Sequence, residues 1–383
     1  MPTSARPLSA VTAALVLLAL AMTTSCRSVT SPDSWTTFRG DARRTGAAAN
    51  ATPIESPELA WEFDTGGTVE SSPTVVDGLL YCGTFADHLF ALDAETGEER
   101  WRFHVDGLVR ASPAVANGLV YFGADDDRFY ALDARTGEER WRLQLGGGGE
   151  QSSPAIVDGL CLFGGFDHVV YAADALTGEL RWTFETGGEI LSSPAVLDGL
   201  VTIGSRDGVV YGLVLETGEE RWRFTTGAGV WCSPSMHDGR VFIGSDDANV
   251  YALDAATGAE LWRATTGGAV FSSPAVAPDE GLLYIGSDDH QVRALALVDG
   301  SERWRCDLAG RVLGSPAIAG HLLYVGGEGS GGTEPGALFA IDRRDGTVAW
   351  RYEVGATVWS SPTAIGDSLW FGAHDGKLRR LRE

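Results

Sequence analysis

Eight side chains stand two residues before a recurring serine and differ from one another in chemical character. They are Glu70, Arg110, Gln151, Leu191, Trp231, Phe271, Leu313 and Trp359. The serine, and the proline after it, do not change from copy to copy. A position that varies between fixed neighbours reads as one whose side chain meets something other than the scaffold. The first three offer charge and an amide; the last five offer apolar surface, three of them aromatic. Apolar side chains around a concave mouth suit contact with a protein or peptide. The competing reading is that they fill a central channel.

Bond-making chemistry is harder to place. The seven histidines are dispersed and none shows the His-x-x-x-His spacing of metal ligands. Gly146 to Gly149 precede neither a lysine nor a helical pattern, so they do not form a phosphate cradle. Glu98-Glu99-Arg100 and its copies read as a solvated turn and outer strand. Five cysteines remain. Cys82, Cys161, Cys232 and Cys306 fall in different repeats at four different repeat positions. An even count in an exported protein invites disulfides, but single cysteines scattered through strands read better as buried thiols.

The elements that hold these residues repeat. Ser-Pro pairs end at Pro73, Pro113, Pro154, Pro194, Pro234, Pro274, Pro316 and Pro362, and a tryptophan keeps step from Trp61 to Trp350. Each unit of about forty residues divides into four strands. In the first, strand A is Val69 to Val76, B Leu79 to Gly83, C Leu89 to Asp93 and D Glu99 to Val105. Asp77-Gly78 and Thr96-Gly97 supply the positive φ angles of tight hairpins. Four-stranded units at this period make propeller blades. The expectation is an all-β, eight-bladed β-propeller over residues 57–383. The last unit stops without a D strand, while Trp61-Glu62-Phe63-Asp64 is a D strand with nothing before it. The N-terminal strand should therefore complete the C-terminal blade and cover two open sheet edges. Asp126, Asp167, Asp207, Asp247, Asp289 and Asp375 recur three residues after the strand-B glycine and read as turn chemistry. The additional Asp125, Asp127, Asp246 and Asp288 could draw a basic peptide or a cation to that face.

Ala91-Leu92-Asp93-Ala94-Glu95-Thr96-Gly97-Glu98-Glu99-Arg100-Trp101 resembles the tryptophan-docking motif of pyrroloquinoline-quinone-type (PQQ-like) propeller repeats. Close copies end at Trp141, Trp182 and Trp262. Trp35-Thr36-Thr37-Phe38-Arg39-Gly40, followed by Arg44-Thr45-Gly46, resembles the segment that precedes many such propellers. The resemblance implies that the tryptophans lock neighbouring blades. One branch of these propellers comprises quinone-dependent dehydrogenases. The resemblance implies for them adjacent cysteines over the quinone and Glu, Asn and Asp on a calcium ion. No two cysteines are adjacent here, so the expectation is no catalytic residue, no cofactor and no metal. The other branch comprises the propeller lipoproteins of the bacterial outer-membrane β-barrel assembly machinery, which implies an envelope scaffold. A quinone-dependent oxidoreductase and a small-molecule-sensing propeller remain the alternatives.

The N-terminus reads as a targeting segment. Leu8 to Met22 are apolar but too short and small-residue-rich to favour a membrane span. Thr24-Ser25-Cys26 matches the end of a lipoprotein signal, making Cys26 the lipidation site, residues 1–25 the signal and 26–56 a leader; ordinary secretion is the alternative. Without residues 1–25 the chain keeps 28 basic against 52 acidic residues, a net charge of −24. Such a chain should repel nucleic acid and anionic headgroups. The expected partner is an envelope or secreted protein or peptide, met by a monomer or a subunit of a hetero-complex, with membrane contact only through the lipid.

Overall fold

Paired positive φ angles close the inner hairpins: Asp77 and Gly78 have φ of 50° and 78°, and Asp198 and Gly199 have 49° and 73°. These are type I′ turns, whose twist matches that of the strands they join. A computed structural model describes residues 34–48, 50–147, 149, 152–329 and 335–383. Among them the chain forms thirty-two strands in eight four-stranded antiparallel sheets. In blade 1, strands A to D are Thr74–Val76, Leu79–Gly83, His88–Asp93 and Glu99–His104. Strand A is shorter than its sequence pattern suggests, because the Ser-Pro pair before it bonds to the neighbouring blade instead of to strand B.

Strands B and C are almost wholly buried, and strand D alternates between exposed and half-buried. The apolar core falls into eight clusters, one at each blade interface. Blades therefore have no private cores, and each depends on its neighbours.

The last sheet is closed as the strand count requires. Glu58–Asp64 pairs antiparallel with Lys377–Arg382, setting Phe63 opposite Leu378. Seven of the eight repeat tryptophans donate their indole N–H to a carbonyl of the next blade, as Trp101 does to Ala134 at 3.1 Å and Trp222 to Ala255 at 2.8 Å. The turn glycine beside that carbonyl lies flat on the ring: a Cβ on Gly218 would sit 2.5 Å from Trp182. Blade 8 ends before any such turn. There the leader substitutes, with Trp350 donating to the Ile54 carbonyl at 2.6 Å and Ile54 N–H donating to the Tyr324 hydroxyl at 2.7 Å.

The rest of the leader lies inside the ring. Strand A turns an unpaired edge toward the axis, and its N–H groups need acceptors. Leader carbonyls supply them: Trp35 to Val75, Thr36 to Val115, Ala42 to Val196, Arg43 to Met236, Thr45 to Val276 and Gly46 to Ile318. The leader lies on the side of the A–B and C–D turns, beside Asp77, Asn117, Asp279 and Gly320. Of the described leader residues, only Phe38 lines the cavity on the opposite, mouth side. Cys26 and the signal segment lie outside the described residues.

Candidate binding site at the channel mouth

The constant serines set the geometry of the mouth. The N–H of Ser72 donates to the hydroxyl of Ser112, Ser112 to Ser153, and so on through Ser193, Ser233, Ser273, Ser315 and Ser361, which returns to Ser72. All eight bonds measure 2.9–3.0 Å. The belt is closed, one serine per blade, and a change of residue would leave a buried N–H unpaired. In most blades a second serine, such as Ser71, accepts from the strand-B glycine N–H. In blade 5 the Cys232 thiol sulfur takes that role, receiving Gly244 N–H at 3.0 Å.

Beneath the belt, proline carbonyls point toward the axis and make it electronegative. Two leader arginines answer them. Arg44 donates to Pro194, Ser153, Pro154 and Phe38 carbonyls and to the Thr37 hydroxyl at 2.7–3.0 Å. Arg39 reaches the carbonyls of Pro274 and Pro316. Burial pulls both guanidinium pKa values down to about 9, still above neutrality, so both enter the channel as cations.

Above the belt lies a cavity of about 430 Å³. Seven of the eight variable residues line it: Glu70, Arg110, Leu191, Trp231, Phe271, Leu313 and Trp359. Gln151 lies outside the described residues. Phe38 lines the same cavity and forms its floor. The leader arginines occupy the channel below the belt, and the described variable residues line the cavity above it.

Arg110 bonds Asp125 at 2.8 Å and lies 4.7 Å above the Phe85 ring. Glu70 stands 3.3 Å from His374, whose ring is 5.6 Å from that of Trp359. In the apolar sector Phe271 meets Trp231 edge-on at 5.5 Å, and Leu313 is buried. Trp359 is 39% exposed, enough for direct contact with a visitor. Charge also enters this sector from neighbours. Arg206 caps Trp231 at 4.6 Å and pairs with Glu189, while Arg311 holds Asp288 at 3.1 Å. Asp246, beneath Trp231, is pushed up to about 6 by burial, against the pull of the Trp231 indole and Arg206.

The recurring turn aspartates act within the frame. Asp207 accepts the Val209 N–H of its own turn, the Tyr211 hydroxyl and the Gly187 N–H of the incoming loop, all at 2.6–2.8 Å. Cys82, Cys161, Cys232 and Cys306 are separate buried thiols. Burial raises Cys82 and Cys232 to about 12, which leaves them unreactive. Phe38, Arg39, Arg44, Arg206, Arg311 and His374 lie outside the variable ring of the sequence. The leader motif was the signal for the first three; the others occupy loop positions with no repeat signature.

The family described as outer membrane protein assembly factor BamB matches residues 48–166, 134–228, 206–295 and 246–383. The chain belongs to this family. Solved structures share the BamB-family fold. BamB from Moraxella catarrhalis is 16% identical, with 86% of this chain and all of that chain covered and a TM-score of 0.74. A europium-containing methanol dehydrogenase is 15% identical, covers 92% and 98% of the two chains and has a TM-score of 0.77. The quinohemoprotein alcohol dehydrogenase of Comamonas testosteroni is 17% identical, covering 93% and 81% with a TM-score of 0.79. At such identities the likeness is one of fold. No curated protein sequence matches the chain.

Proposed function

We propose that this BamB-family propeller is a non-enzymatic, envelope-associated scaffold that captures a protein or peptide at its channel mouth. The observation that carries the reading is the convergence of the variable residues on one cavity over an invariant serine belt. Trp231, Phe271 and Trp359 supply aromatic anchors of the kind that concentrate binding energy, and Arg110, Glu70 and Arg311 supply a polar rim. Family membership supports an envelope setting and a role in a protein complex, including outer-membrane protein assembly. Export and lipidation at Cys26 belong to the same proposal.

The dehydrogenase neighbours raise the question of a quinone. The residues of the mouth do not fit one held in the manner that the resemblance implies. The cysteines sit singly in four blades. The ring's one carboxylate, Glu70, faces His374, and Asp125, Glu189 and Asp288 beside the ring are paired with Arg110, Arg206 and Arg311. Among the described residues no three potential metal ligands cluster.

The test is capture from detergent-solubilised envelope by the parent chain and by a Trp231→Ala/Trp359→Ala variant. The proposal expects a defined partner that the variant loses while melting within a few degrees of the parent. Retained capture, or saturable quinone absorbance with alcohol oxidation once PQQ and calcium are added, would overturn it.

A further inference from the structure

Among the described residues, the charged side chains lining the mouth cavity are Glu70, Arg110 and Arg311. The two arginines bring their own counter-ions. Arg110 holds Asp125 at 2.8 Å, and Arg311 holds Asp288 at 3.1 Å with Glu328 at 3.7 Å. Arg206, over the Trp231 ring, is paired with Glu189. Glu70 meets no arginine among the described residues. Its ionic partner there is His374, 3.3 Å away, and an imidazole balances a carboxylate only when protonated. The charge left over in the lining is therefore negative.

The turns around the cavity add to it. Asp127 accepts from the Gly149 N–H. Asp207 accepts from two N–H groups and the Tyr211 hydroxyl, and Asp247 likewise from two N–H groups and the Tyr251 hydroxyl. Neutral donors steady a carboxylate without cancelling its charge. The field over the mouth is thus negative, as is the chain as a whole, which draws cations in and turns anions away.

An aromatic face stands beside the carboxylate that lacks an arginine. Trp359 is 39% exposed, and its ring lies 5.6 Å from that of His374, which faces Glu70 in turn. One imidazole therefore backs both groups. A guanidinium or ammonium within about 6 Å of an indole centroid is attracted by the ring's quadrupole. A charge-assisted bond to a carboxylate, at about 2.8 Å, strengthens the hold. Phe271, Leu313 and Leu191 line the same cavity and suit the apolar neighbours of such a residue.

We propose, on the reading of the mouth as a capture site, that its occupant is a basic segment of a protein. An arginine or lysine of that segment lies on Trp359 and pairs with Glu70, while apolar side chains beside it meet Phe271 and Trp231.

Capped hexapeptides alternating leucine with arginine, glutamine or glutamate, titrated calorimetrically into the purified chain, test this. The arginine peptide should bind saturably at one site, the glutamine peptide about tenfold more weakly and the glutamate peptide more weakly still. Glu70→Gln should weaken the arginine peptide about tenfold and leave the glutamine peptide unchanged. Trp359→Leu keeps apolar bulk and should weaken the arginine peptide several-fold. Raising NaCl from about 0.05 M to about 0.5 M should cost the parent more affinity than Glu70→Gln. Equal binding of the three peptides, no saturable uptake of the arginine peptide, or an affinity that Glu70→Gln leaves in place would overturn the assignment. Envelope capture separates it from the reading beneath it. A captured partner that Glu70→Gln and salt do not loosen sinks the basic segment and leaves the capture site standing; arginine-peptide binding without any envelope partner does the reverse.

Discussion

Replacing Arg44 by methionine tests whether the leader is a structural axle or a passive filler. Methionine keeps length and apolar bulk but removes five hydrogen bonds. Of the acceptors left behind, the Pro154 carbonyl still receives the Thr37 hydroxyl at 2.9 Å. The carbonyls of Phe38, Ser153 and Pro194 lose the Arg44 bonds at 2.7–3.0 Å. An unpaired buried polar group costs about 1–3 kcal/mol. Water entering the vacated space and relief of the buried cation favour the lower end, so the net loss is about 3 kcal/mol. At roughly 2.1 cal/mol/K per residue, the melting entropy of a chain this size is about 0.75 kcal/mol/K, and the melting temperature should fall by about 4 °C. Scanning calorimetry at a fixed scan rate measures it directly. Arg44→Lys should fall between parent and methionine, because one ammonium cannot reach all the carbonyls. If Arg44→Met melts within about 1 °C of the parent, the reasoning that the leader stabilises the ring through this side chain is wrong.

Three further outcomes follow from the frame and the mouth. Gly199 and Gly218 share a φ of 73°, yet a Cβ meets nothing at Gly199 and strikes Trp182 at Gly218. Gly199→Ala should therefore cost about 1 kcal/mol in urea unfolding and Gly218→Ala clearly more; equal costs would deny the ring contact any part in stability. Asp246 has its folded pKa raised to about 6 from the ordinary 3.8, so the folded state binds the extra proton and stability falls as pH rises between those values, with the full cost present above about 6. Asp246→Asn should flatten that slope, and Trp231 emission, read as the difference from Trp231→Phe, should titrate near pH 6 in the parent but not in the Asn variant. Ser193→Ala leaves the Ser153 N–H without its acceptor at 2.9 Å and should cost about 1–3 kcal/mol by urea unfolding, since the group is buried.

The blade count, the turn positions and the closing strand were legible because period and turn chemistry are local signals. Asp77-Gly78 demands its hairpin wherever it stands, and eight copies reinforce one another. The variable ring was legible by contrast with Ser72 and its counterparts. The reason those serines are fixed was not, since the N–H of one blade meets the hydroxyl of the next about forty residues away, a relation set by ring closure and absent from any single repeat. The leader was harder still. Arg44 makes three of its five bonds to residues more than a hundred positions distant, and nothing in Arg44-Thr45-Gly46 announces a guanidinium inside a carbonyl cage.

The leader joins two parts of the protein that the repeats alone would keep separate. It passes along the side of the A–B turns, satisfies inner strand edges there, and sends Phe38 through to floor the cavity on the other side. Displacing Phe38 must therefore disturb Arg39 and Arg44, whose bonds fix the backbone on either side of it. Among the described residues, Trp35, paired with Val75 at 2.8 and 3.2 Å, stands between the N-terminal side of the leader and the floor of the mouth. Inner strand edges and mouth thus share one short segment, held by hydrogen bonds to six of the eight inner strands. Phe38→Ala separates the two roles. It removes the floor without touching any leader hydrogen bond, so capture at the mouth should weaken while melting changes little. A melting loss as large as that of Arg44→Met would instead make Phe38 part of the axle and leave the mouth without a floor of its own.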